Sequence, residues 1–431
     1  MIFFDIYLIS MKIWLLQTGE PLPTDGGSPR PMRAMNLASA LLNRGHSVEV
    51  WSSAFYHQEK RHRSKTFQSI TVNDQLTVHL IPSAGYKRNI GLGRLFDHAQ
   101  MAFRLAQLLN SGRFDRPDVV FVGYPPIEVA WVMLRHVKGL GVPSIIDVKD
   151  QWPSLFIEAM PASLQIIGKL IFFPYFWLGR SAMSYATGIS SMSPAFLDWA
   201  LQFCGRSKQV FDAVVPLVPT RIHVNELQLH EARCWWSTAG VELSKVRVFA
   251  FVGSLSQAFD FLALRDAAEQ LDQIHPNCMF VICGTGAEEE TVKSLFAGLS
   301  NVVFSGWIDV PKIAALMEVT VATLAPYRNT PNFQLNIPNK ILDSLSYGQP
   351  VITALEGAVQ NMLCESGVGI ACPNSVDGWL KALCCLLEDV QIRKTMSNNA
   401  EKLYADKFNS EAVYGSFVDH LERISFESNG R

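Results

Sequence analysis

The chain lacks most of the features that would classify it at once. Its eight cysteines in 431 residues form no CxxC pair. That argues against a zinc knuckle, a thioredoxin-type centre or a disulfide scaffold, and makes a reducing cytoplasm the default expectation. Lysine and arginine number 37 against 39 acidic residues, a formal charge of −2. The electrostatic footprint of a nucleic-acid binder is therefore missing, and no nucleic-acid partner is expected. There is no GxGxxG fingerprint, no P-loop lysine and no DxD carboxylate pair between strands. No apolar run reaches the roughly 20 residues of a spanning helix. Hydrophobic residues nevertheless make up 48% of the chain, ample for packed cores, and the length predicts two domains or more.

Two apolar stretches stand out. Met1 to Leu16 has no basic leader and contains Asp5 and Lys12. It reads as a first core strand from Met11, with residues 1–10 as an extension from an upstream start codon. Ile166 to Gly179 is aromatic-rich, interrupted by Pro174 and flanked by Arg180. It reads either as a buried helix pair or as a segment lying in a membrane interface.

Elsewhere apolar runs alternate with helical periodicity. Met11–Leu16, Ser47–Ser53, Leu76–Pro82, Asp118–Gly123 and Pro143–Asp147 read as strands, with helices over Met32–Asn43, Gly91–Leu109 and Ile127–Lys138. After a less regular stretch at 200–245, taken as a connection, the pattern restarts at Val246–Val252 and continues to about Phe408. Uninterrupted apolar strands covered by helices predict parallel sheets. The expected fold class is α/β, two Rossmann-like doubly wound domains facing a central cleft. The expected division is 1–205 for an acceptor domain, joined by a last helix at about 410–425, and 206–409 for a donor domain. Ligands of such sheets sit beyond the carboxyl ends of the strands.

Four segments carry candidate chemistry. Asp25-Gly26-Gly27-Ser28 lies between the first strand and helix, with Arg30 and Arg33 beyond it. Paired glycines let backbone N–H groups approach an anion, although an ordinary loop reads the same way. Asp147-Val-Lys-Asp150-Gln-Trp-Pro153 ends a strand on two carboxylates. Asp150, and to a lesser degree Asp147, is suited to deprotonate or orient an acceptor hydroxyl, or else to cap a turn. Gly253-Ser254 follows a strand and permits close approach of a phosphate, or is a plain tight turn. Ile337-Pro-Asn339-Lys340-Ile-Leu-Asp343 opens a helix that Gly348 ends. Its N-terminus with Lys340 suits a phosphate and Asp343 suits ribose hydroxyls. The alternative is a surface ion pair at i, i+3.

The segment PNKILDSLSYGQPVI is similar to the donor-binding signature of the retaining glycosyltransferases of family 4, which have the GT-B fold. The early glycine pair, the stretch from Arg33 to Trp51, DxxDxWP, the Val252-Gly253 junction, ICGTG and FSGW fall in the family's order. The DxWP element most resembles bacterial enzymes that build lipopolysaccharide O-antigen and capsule. The resemblance implies a transferase moving a hexose or amino sugar from a nucleotide diphosphate, UDP favoured. The implied acceptor is a glycan or a polyprenyl-linked molecule, with no metal or other cofactor, and the work is done in the cytoplasm at the inner face of the plasma membrane. It implies Gly26 and Gly27 near the donor diphosphate, and Gly284 and Gly286 beside the nucleotide. Gly306 and Trp307 fall at the base, Asp343 on the ribose, and Lys340 near the diphosphate. The family's first acidic position falls on Leu335. Ser254 and Phe259 stand near the places where many members have an Arg and a Lys. Neutralisation then falls to Lys340, Arg328 or Arg33, or the donor is oriented differently. These departures keep two other readings open: a UDP-sugar epimerase of the same fold, and a non-catalytic sugar-nucleotide-binding subunit.

Overall fold

In the computed structural model, which describes residues 10–26, 31–87, 91–158, 160–219 and 224–429, the apolar runs become parallel strands buried on both faces. The first unit contains β1 (Lys12–Leu16), β2 (Ser47–Ser53), β3 (Phe55–Tyr56), β4 (Arg61–His62), β5 (Gln68–Asn73), β6 (Leu76–Ile81), β7 (Val119–Tyr124), β8 (Ser144–Val148), β9 (Gly188–Ser191) and β10 (Ala213–Val214). Eight of them form one sheet in the order β10-β9-β8-β7-β1-β2-β6-β5. Only β5 runs antiparallel in it. Its exposed, polar residues suit an edge. The small pair β3 and β4 stands apart as an antiparallel ribbon.

This unit comprises Met1–Pro216 together with Glu411–Arg431. It runs past the boundary expected at 205. β10 adds to β9, and the Arg33 guanidinium donates to the Val215 carbonyl at 2.9 Å and the Pro216 carbonyl at 3.1 Å. The helix Ser410–Asn429 is integral to it. Phe417 meets Phe121 at 5.9 Å, and Glu422 reaches His46 Nε2 at 2.9 Å.

The second unit, Leu217–Ser410, has β11 (Arg247–Val252), β12 (Cys278–Cys283), β13 (Val302–Gly306), β14 (Thr320–Ala325), β15 (Val351–Thr353) and β16 (Gly369–Ala371). All are parallel, in the order β13-β12-β11-β14-β15-β16. The stretch read as a connection proves partly structural. Asn225 and Gln228 form a capping box that starts a helix at Glu226–Thr238. Trp236 on that helix is fully buried, and its indole N–H donates to the Lys312 carbonyl at 2.9 Å. It anchors the core between β11 and the helix Val310–Met317.

The apolar stretch around Pro174 forms two helices, Gln165–Ile171 and Phe173–Tyr185, with Pro174 in the first turn of the second. Gly168 packs inward, where a Cβ would meet Met160 and Ile157. The outer face, however, is exposed, so the reading as a wholly buried pair does not hold. Among the described residues no single helix is long and apolar enough to cross a membrane.

Candidate functional site

In the first sheet the chain leaves β1 toward β2 on one side, while β7 leads to β8 on the other. A crevice therefore opens beyond the carboxyl ends of β1 and β7. A cavity of about 250 Å³ lies there. Gln17 to Glu20 follow β1, Pro125 and Pro126 follow β7, and Lys149 and Asp150 follow β8. The helix Leu92–Leu109 closes it with Arg94, Asp97 and His98.

The charges in this cavity are interlocked. Lys149 Nζ donates to Gln17 Oε1 at 2.9 Å and to Glu20 Oε1 at 3.0 Å. The other Glu20 oxygen accepts from the Ala34 N–H at 2.9 Å, at the start of the first helix. Burial pushes the Asp150 carboxyl up to about 6, against the opposing pull of Lys149 and Arg94. Burial, with Lys60 and Arg94 nearby, depresses His57 to about 4. His98 falls to about 3 for the same reason, helped by Arg94 and His57. His98 Nδ1 is buried without a hydrogen-bond partner. The cavity thus offers a carboxyl poised near neutrality and neutral imidazoles, a set that can accept and orient hydroxyl groups.

Two predicted residues fall outside it. Arg33 and Asp147 were expected at donor phosphate and acceptor. They instead pair with each other at 2.7 Å, with side chains 2% and 1% exposed. Ser190 donates to the same Asp147 oxygen at 2.7 Å. Helix, strand and domain end are tied by this pair, and neither residue lines the cavity. Asp25 is likewise taken by Arg63, through two contacts of 2.6 Å. Gly26 has a left-handed backbone with open space where a Cβ would stand. Gly27 lies outside the described residues.

The second unit repeats the topological reversal between β11 and β14. Here the strand ends carry backbone rather than side chains. Gly284, at φ +132, leaves no space for a Cβ because the Gly253 carbonyl oxygen occupies it. Gly286 is pressed against the Leu255 carbonyl in the same way. The Gly253 N–H donates to the Cys283 carbonyl at 2.9 Å, and the Gly284 N–H to Gly306 at 2.7 Å. Lys340 enters this nest from the helix Asn339–Ser346. Its Nζ donates to the Val252 carbonyl, lies 3.7 Å from the Phe251 ring centroid, and fills the space beside Gly253. Burial drops its pKa to about 7, with Asp343 pulling it back up.

The remaining predicted residues surround that nest unevenly. Asn339 is exposed at the helix start, whose N-cap, Pro338, makes no side-chain cap bond. Trp307, after β13, is 72% exposed. Arg328 Nε donates to the Gln257 carbonyl at 3.1 Å, and its guanidinium stands 3.7 Å from Asp260. Ser254 follows Gly253 and is exposed. Phe259 packs on Phe251 at 5.0 Å and Tyr327 at 4.6 Å, so an aromatic floor lies beneath Lys340.

Sequence reasoning missed Lys149, Glu20, Arg94, His57 and His98. A signal existed for two of them. Arg94 and His98 share a helical face with Met101 and Leu105, which is the buried face. Charged groups on that stripe point to a cavity. One trio among the described residues, His275, Cys384 and Glu388, has ligand atoms within 4.8 Å of one another, away from both sites. His275 Nε2 there already contacts Glu388 at 2.9 Å.

Comparison with known proteins places this architecture. Residues 31–215 match the family described as glycosyl transferase 4-like domain, and residues 246–389 match glycosyl transferases group 1. The putative teichuronic acid biosynthesis glycosyltransferase TuaH of Bacillus subtilis (strain 168) is 28% identical over 106 residues, 24% of this chain and 26% of that protein. The match thus spans about a quarter of the curated relative's length. Among solved structures, sucrose-phosphate synthase from Thermosynechococcus elongatus superposes with a TM-score of 0.71 at 14% identity, over 97% of this chain and 100% of that one. WaaG, a glycosyltransferase involved in lipopolysaccharide biosynthesis, gives 0.63 at 14% identity over 95% and 99%. Anabaena HepE, solved with UDP and glucose, gives 0.61 at 15% identity over 96% and 100%. Two doubly wound units, each with a crevice at its topological reversal, define the GT-B class of fold. Matched to one family domain in each half, the chain belongs to the glycosyltransferases of this type.

Proposed function

We propose that the chain transfers a hexose or N-acetylamino sugar from a nucleotide diphosphate, UDP-linked, to a glycan or polyprenyl-linked acceptor in cell-surface polysaccharide synthesis. The reading places it in the cytoplasm, at the inner face of the plasma membrane. The observation that carries it is the partly buried Lys340, whose ammonium stands beside the glycine turns at the ends of β11 and β12. Breaking the bond between the anomeric carbon and the phosphate oxygen leaves negative charge on the departing diphosphate. A desolvated cation and the N–H groups of a helix start, fixed beforehand, stabilise that charge more than they would in water. This supplies what Ser254 and Phe259 cannot. Asp343 receives ribose hydroxyls and the exposed Trp307 meets the base. The acceptor hydroxyl, oriented by Asp150, forms the new bond to the same carbon and gives its proton to the Asp150 carboxylate. In this reading the configuration is retained and no metal takes part.

A Lys340→Ala or Asp343→Ala variant should sharply raise the donor KM. Unchanged donor kinetics in both would remove the helix from the site. A thermal-shift panel of UDP, GDP and ADP should raise the midpoint most for UDP. Free UDP released only when acceptor is present separates transfer from epimerisation.

A further inference from the structure

We propose that the bent helix pair Ala162–Ile171 and Phe173–Tyr185 docks the first unit on an anionic lipid bilayer, lying in the interface and not crossing it. The inference rests on the reading of a lipid-linked acceptor, and specifies how such an acceptor is reached.

Ile166, Ile167, Leu170, Ile171, Phe173 and Trp177 are 53% to 75% exposed. So dense an apolar face is unusual on a surface that meets only water. The inward side is fixed by Gly168, pressed against Met160 and Ile157, so the outward apolar face is not a misplaced core. The longer leg has thirteen residues, or ~20 Å, against a hydrocarbon core of ~30 Å. The legs bend by 64°, which suits a wedge at headgroup depth, where Trp and Phe partition well.

The charge pattern selects the partner. No Asp or Glu occurs from Ala159 to Leu197, whereas Lys169 and Arg180 are exposed there. The helix Ile127–Gly139, packed against the second leg, adds Arg135 over Trp131 at 5.1 Å and Lys138 over Tyr185 at 4.7 Å. The acid on that helix, Glu128, is buried and accepts from Tyr175 at 2.8 Å. An apolar face rimmed by cations complements anionic headgroups.

The same pair is tied to the cavity. Phe172, at the bend, lies 5.2 Å from Phe156, which lies 4.6 Å from Trp152. Trp152 follows Asp150 by two residues and carries Arg94 at 4.6 Å. Docking the pair therefore brings the Asp150 cavity to the bilayer surface, where the head of a lipid-linked acceptor sits.

The test is flotation of the full chain with phosphatidylcholine vesicles, with and without phosphatidylglycerol and free of any acceptor. The expected result is flotation with the anionic vesicles, reversed by salt. The surface variant Leu170→Glu/Phe173→Glu should abolish it, and Lys169→Gln/Arg180→Gln should weaken it roughly thirtyfold. Variant flotation equal to wild type, no flotation at all, or resistance to alkaline carbonate extraction would each overturn the proposal. So would a concentration-dependent dimer, abolished by Leu170→Glu/Phe173→Glu, in a protein that ignores vesicles. UDP thermal shifts should be unchanged in every variant. Loss of that shift in wild-type protein would remove the transferase reading and leave docking standing.

Discussion

The two crevices of this molecule occupy equivalent places in their sheets and are built from different materials. In the first unit, the ends of β1, β7 and β8 present side chains: Gln17, Glu20, Lys149, Asp150 and the helix-borne Arg94 and His98. In the second, the ends of β11 and β12 present glycine backbone, with Lys340 as the partly buried cation. A side-chain site can be rebuilt for different acceptors by substitution. A backbone site demands close approach; its Gly253 and Gly284 N–H groups are already given to the Cys283 and Gly306 carbonyls, so in the proposed reading the anion is met by the helix start at Asn339 and by Lys340. The contrast matches the proposed division of labour, in which acceptor hydroxyls vary and the diphosphate does not.

The largest expected effect would break the comparison at its foundation. Arg33→Ala, which strands the Asp147 carboxylate in the interior, should cost about 3–5 kcal/mol of stability. Chemical denaturation reads this directly. Donor KM of the folded fraction should stay at the wild-type value, because the pair lines neither crevice. A raised KM would restore Arg33 to the donor site.

Next in size, Lys340→Ala should lower kcat/KM for donor by about 100-fold, roughly 2.7 kcal/mol of transition-state stabilisation. Because burial holds its pKa near 7, donor affinity of the wild type should fall as pH rises through 7. Calorimetric titration across that range should show the slope, and Lys340→Ala should flatten it.

Asp150→Asn sharpens the other side. The wild-type rate should rise as pH increases through about 6, where the carboxyl ionises, and the variant should lose that limb along with about tenfold in rate. Stability runs in the opposite sense. The folded pKa is raised above the unfolded value of about 3.9, so the contribution is present below that value. It is lost as pH rises through 6. Thermal melts should show this loss in the wild type and its absence in Asp150→Asn.

The smallest effect is Trp307→Ala. Loss of base stacking should weaken UDP binding by about 1 kcal/mol, the low end for a stacked base, with no change in melting temperature, since the ring is 72% exposed.

The sequence legibly encodes the two-sheet architecture. Apolar strand runs and helical periods are local signals that survive without tertiary context. The glycines at 253, 284 and 286 and the helix opening at Asn339 were legible for the same reason, since backbone geometry imposes residue type locally. Residues 200–245 misled because Trp236 and its capping box announce a helix only weakly. The cavity side chains were mostly not legible, because Glu20, His57, Arg94 and Lys149 come from four separated segments.

By itself, then, the sequence determined the elements and the close-packed glycine turns after β11 and β12. Only the tertiary structure decided which charges are spent on each other. Arg33 and Asp147, 114 residues apart, look like site residues in a linear reading and are a buried pair in the fold. Lys340 becomes a desolvated cation near neutrality only because Phe251 and Phe259 close beneath it. Burial and pairing are properties of positions in space, and they set whether a charged group is structural or reactive.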